Sequence, residues 1–68
     1  MFLARTVNLR TGRETSKEVD TAEQAAQQLA LLLRLGGCEE DPAHLERRLL
    51  AGSTVEHKGF SYSVEEQQ

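Results

Sequence analysis

Between Asp20 and Gly37 the chain sets Ala22, Ala25, Ala26, Leu29, Leu32 and Leu33 three and four residues apart, the spacing that lines up one face of an α-helix. Asp20 stands where an N-cap is wanted and Glu23 follows three residues later, so a capping box can close the first turn. The pattern predicts a helix running to about Leu35, with Gly36-Gly37 as a left-handed stop. Leu31 and Leu35 fall on a second stripe, so the C-terminal half of this helix is apolar on two sides and needs two covers. A sheet supplies one. The other is the next helix or a second copy of the chain, which would make Leu31 and Leu35 a homodimer seam.

The flanking segments supply that sheet. Leu3, Val7 and Leu9 alternate with Ala4, Thr6 and Asn8, a period of two that predicts a strand over residues 2–9 whose apolar face is interrupted by Arg5. Arg10-Thr11-Gly12-Arg13 reads as a turn with Gly12 at positive φ, and Glu14 to Val19 as a polar return arm of edge-strand character. Downstream, Asp41-Pro42 opens a second helix, cap and then proline. It should reach about Ala51, with Leu45 and Leu49 inward, Glu46, Arg47 and Arg48 outward, and Gly52 as terminator. Val55 to Val64 is the last strand region, with Phe60, Tyr62 and Val64 on one face and Ser61 and Ser63 on the other. His57-Lys58-Gly59 within it is either a tight turn or a glycine bulge. Residues 65–68 are expected to fray. The expected fold is α+β: one domain over residues 1–68, with a small antiparallel sheet of three or four strands and both helices on one face, ββααβ or ββααββ.

A chain of 68 residues with 38% hydrophobic residues and no Trp buries only a thin core, roughly 60% of its unfolded surface. Cys38 is the only cysteine, which excludes a disulfide framework and points to a reducing, cytoplasmic setting. The longest apolar run, Leu29 to Leu33, is far short of the roughly 18 residues of a membrane span, so neither signal peptide nor anchor is expected. Catalysis is not expected either. Cys38, His44 and His57 could in principle form a thiol site, but so small a core can hardly line a water-excluding pocket. The same three residues lack the paired spacing of a structural zinc site, and no Gly-rich phosphate loop precedes a helix, so no metal or cofactor is expected.

Charge divides the chain. Residues 1–17 carry Arg5, Arg10, Arg13 and Lys17 against Glu14, while residues 18–68 carry four bases against ten acids. A duplex-binding domain normally presents a surplus of Lys and Arg, since releasing counterions from phosphates supplies most of its affinity. The acidic remainder suits a basic surface on a protein or nucleoprotein partner. Glu39, Glu40 and Asp41 at the entrance of the second helix, with Glu46 one turn in, are the expected contacts.

A hairpin tipped by Thr11-Gly12, a helix opened by Thr21-Ala22-Glu23-Gln24-Ala25-Ala26-Gln27-Gln28-Leu29, a second short helix and a closing His57-Lys58-Gly59-Phe60-Ser61-Tyr62 strand resemble the nuclease-associated modular DNA-binding repeat of homing endonucleases and phage proteins. That resemblance implies a DNA-binding architecture whose contacts here would be Arg5, Arg10, Arg13, Lys17, Arg47, Arg48 and Lys58. In the family the second helix presents Ser, Thr and basic side chains; here its entrance reads Cys38-Glu39-Glu40-Asp41-Pro42. By class, a small acidic chain of this kind is similar to phage-encoded inhibitors, anti-CRISPR proteins among them. The leading expectation is therefore a non-enzymatic inhibitor or modulator, with duplex binding through the basic hairpin as the alternative.

Overall fold

The computed structural model describes residues 1–67. In chain order the described residues form β1 (Phe2–Asn8), β2 (Glu14–Val19), α1 (Ala22–Leu35), α2 (Pro42–Leu50), β3 (Val55–His57) and β4 (Phe60–Glu66). The strands make one antiparallel sheet in the order β2-β1-β4-β3, so the first and last strands are central neighbours. The α+β reading and the ββααββ alternative hold.

Turn chemistry builds the two hairpins. At the β1–β2 tip the Asn8 carboxamide oxygen accepts from the backbone N–H of Arg10 and Thr11, and Gly12 takes φ +77°, which an L side chain resists. At the β3–β4 tip Lys58 and Gly59 both have positive φ between the paired residues His57 and Phe60. That is the type I′ geometry whose twist matches the flanking strands, and it settles the choice between turn and bulge in favour of a hairpin.

Both helices end alike. The N–H groups of Gly37 and Cys38 donate to the carbonyls of Arg34 and Leu33, and those of Gly52 and Ser53 to Leu49 and Arg48, two Schellman closures with glycine in the left-handed position. The start of α1 differs by one residue from the expected one. Thr21, not Asp20, is the N-cap; its hydroxyl accepts from Gln24 N–H while the Gln24 carboxamide accepts from the backbone of Asp20 and Thr21. Asp41 caps α2 by accepting from Ala43 N–H, with Pro42 at the first helical position.

The core lies between the helix layer and one face of the sheet. Leu29, Leu33, Leu45 and Leu49 are fully buried and meet Ala4, Val55 and Tyr62 from the strands. Ala25, Ala26 and Ala30 are buried too, and their small side chains let α1 pack closely against its neighbours. Two expectations are corrected here. The face of β1 turned to the helices is Phe2 and Ala4, not Leu3, Val7 and Leu9; Leu9 is 51% exposed. The reason is Arg5: one residue shift in parity would press its guanidinium into the core, whereas Ala4 admits α1 at no desolvation cost. Residues 65–67 are not a frayed tail. Glu65 and Glu66 pair with Leu3 and Phe2, and Gln67 N–H donates to Met1 carbonyl at 2.9 Å. Gln68 lies outside the described residues.

Candidate functional site

Because the helices cover one side only, every second residue of each strand stands on an open face. From the edge inward β2 contributes Glu14, Ser16 and Glu18, whose cross-strand partners on β1 are Val7, Arg5 and Leu3. On the other side of β1 the same three residues oppose Ser61, Ser63 and Glu65 of β4, and Glu56 of β3 lies opposite Ser61. Leu3, Arg5, Val7, Ser61 and Ser63 are half-buried and form a low floor; Glu14, Glu18, Glu56 and Glu65 are exposed around it.

Arg5 sits at the centre of this face. Its guanidinium is ion-paired with Glu14, and with Glu65 at 3.5 Å. The hydrogen bond to Glu14, then that carboxylate's field, raise the pKa of Arg5 above its usual value, with Glu65 adding to the effect. Two carboxylates thus engage the one guanidinium of a face that carries four. Glu18 and Glu56 stand on either side without an ion pair among the described residues.

The acids expected at the entrance of α2 are spread over different tasks. Glu40 accepts from Arg48 Nη1 at 3.0 Å, and Asp41 is occupied by the helix cap. Glu46 is half-buried and shares a groove between the helices with Arg34; Glu39 is exposed in the loop. The basic residues of the alternative reading also separate. Arg5 belongs to the acidic face, Arg48 to Glu40, and Lys17 to the helix-side flank of the β2 edge beside Leu32. Arg47 is exposed on α2. Arg10 and Lys58 come together around one hollow because Leu9 N–H donates to Gly59 carbonyl at 2.8 Å, joining the two hairpin tips, and Arg13 sits on the first of those tips.

Cys38 is half-buried against the core as the residue that completes the α1 closure, directly after Gly37. His57 Nε2 lies 3.3 Å from the Gly36 carbonyl, and His44 is exposed in the first turn of α2. Tyr62 belongs to the core, and burial, then the neighbouring Cys38, push its phenol pKa up. The Phe60–Tyr62 stripe, a docking candidate had it stood on the open face, turns toward the helices instead. Among the described residues no three His, Cys, Asp or Glu side chains gather as metal ligands, and no helix is long and apolar enough to cross a membrane.

Sequence reasoning missed the open face as a site. The signal was available in the shared parity of Glu14, Ser16 and Glu18 and of Ser61, Ser63 and Glu65. It was masked by the opposite assignment of the β1 faces. Compared with family models, curated proteins and solved structures, the chain matches none of them.

Proposed function

We propose that this protein is a non-enzymatic binding module that docks its open sheet face on a basic surface of a protein or nucleoprotein and thereby inhibits or modulates it, in the manner of small phage or mobile-element inhibitors such as anti-CRISPR proteins. The observation that carries this reading is the face itself: four glutamates against a single arginine that two of them already pair, on the sheet side opposite the helices. Half-buried Leu3 and Val7 give such a contact an apolar centre, and the glutamates give it a charged rim, the usual division in an interface. The negative rim raises the encounter rate with a basic partner and repels duplex phosphates. At the α2 entrance Glu39 is the acid left with no cap or ion pair among the described residues, so that region assists the contact and does not centre it.

The test is capture from nuclease-treated host lysate with the wild-type chain and with a Glu18→Lys, Glu56→Lys variant. Basic proteins retained by the first and lost by the second are expected. Capture that disappears on nuclease treatment, or that the double reversal leaves intact, contradicts the reading.

One observation favours a second reading, duplex binding by the hairpin ends: Arg10, Arg13 and Lys58 sit at the two tips that the Leu9–Gly59 hydrogen bond joins. That reading requires a mobility shift on duplex DNA at about 50 mM salt that fades by about 200 mM. Absence of a shift at the lower salt removes it.

A further inference from the structure

The outer surface of α1 is not finished. Leu31 is 53% and Leu35 76% exposed, one helical turn apart on α1. Beside them lies a hollow lined on α1 by Gln27, Ala30, Leu31 and Arg34 and on α2 by Pro42 and Glu46. The four α1 residues have the i, i+3, i+4, i+7 spacing of the hole that receives a knob in helix packing, and buried Ala30 makes its floor shallow and small. Leu35 is a knob without a hole, and this is a hole without a knob.

Charge identifies the occupant. Arg34 and Glu46 rim the same hollow, and neither is in an ion pair among the described residues. A rim that carries one charge of each sign beside an apolar stripe is complementary to itself after a two-fold rotation, which brings each Arg34 toward the other copy's Glu46 and each Leu35 over the other copy's hollow. We propose that a second copy of this chain covers the α1 face, in an isologous dimer seated by Leu31 and Leu35 and oriented by Arg34 and Glu46.

The rival route to self-association, pairing of the exposed β2 edges, is opposed by its own sequence. Antiparallel pairing that keeps both helix layers on one side sets residues of like parity opposite each other, and successive registers place Arg13 against Lys17, Glu14 against Glu18, and Lys17 against itself. Like charges directly opposed destabilise a ladder. The helix-side dimer also leaves both acidic sheet faces outward, so it goes beyond the proposed docking function without depending on it.

Sedimentation equilibrium over a concentration series tests the proposal. The wild-type chain should reach twice its 7.6 kDa mass, and Leu35→Glu should raise the dissociation constant by about tenfold or more, with circular dichroism confirming that the variant remains folded. Arg34→Glu and Glu46→Arg should each weaken the dimer, and their combination should restore it. Leu35→Ala serves as the milder variant if the glutamate disturbs folding. A wild-type chain that stays monomeric throughout, leaving the stripe to a foreign partner, overturns the proposal. A dimer indifferent to Leu35→Glu, or single reversals not rescued by the double, overturns it equally.

Discussion

Thr21 shows how narrowly a single residue can decide an element's start. Two capping frames overlap here, Asp20 with Glu23 and Thr21 with Gln24, and both have the right spacing. The second is used, since the Gln24 side chain reaches back to two backbone N–H groups while Thr21 receives the Gln24 N–H. Spacing cannot separate the two frames; side-chain geometry does. Thr21→Ala should therefore lower unfolding free energy by about 1 kcal/mol in urea titration, and Asp20→Ala by clearly less. Tyr62 supports a second residue-scale expectation. Burial first, and Cys38 next, raise its phenol pKa, so the native state holds the proton more tightly than the unfolded chain. Its stabilising contribution is complete below the unfolded value of about 10 and is lost as pH climbs through the higher native value. Tyr62→Phe should abolish that part of the alkaline loss, seen as a smaller drop in melting temperature above pH 10 than in the wild type.

Helix elements were legible because their signals are redundant: a three-four stripe, a cap and a glycine stop all coincide for α1, and a cap, proline and glycine for α2. The stops also carry energy. Gly37 has φ +91°, and an alanine there meets the Lys58 ammonium end at 2.9 Å, whereas Gly36 has ordinary negative φ and only van der Waals neighbours. Gly37→Ala should cost about 1–2 kcal/mol in denaturant unfolding, while Gly36→Ala should cost clearly less. The strand elements were legible in place, and β4 also in the parity of its faces, but β1 was not legible in orientation. On β1 both faces carry apolar residues, so alternation gives two answers, and counting leucines and valines favours the wrong one. What decides is the cost of burying Arg5, together with pairing partners that no local pattern contains: Ala4 lies opposite Val64, on the same face as Tyr62 and Val55.

At the scale of the molecule, these elements make a two-layer slab of 29 × 27 × 17 Å, thin because there is one helix layer on one side of one sheet. A thin slab has two broad outer surfaces, and each remains chemically unsatisfied in its own way. The helix side shows the leucines that the α1 periodicity already revealed as a second stripe. The sheet side shows the glutamates, which the sequence displayed only as dispersed acids in segments nearly the whole chain apart. Glu14, Glu18, Glu56 and Glu65 become one surface only when β1 pairs with both β2 and β4, a long-range event that no spacing rule encodes. For that reason the acidic character of the site could be anticipated and its location could not. Amide chemical shifts of the labelled chain, titrated separately with a lysine-rich peptide and with duplex DNA, test the central claim most directly. The account predicts peptide-induced shifts concentrated on Glu14, Glu18, Glu56, Glu65 and their strand neighbours, absent in the Glu18→Lys, Glu56→Lys variant. Peptide shifts confined to other surfaces, or duplex-induced shifts at Arg10, Arg13 and Lys58 with the sheet face silent, would contradict it.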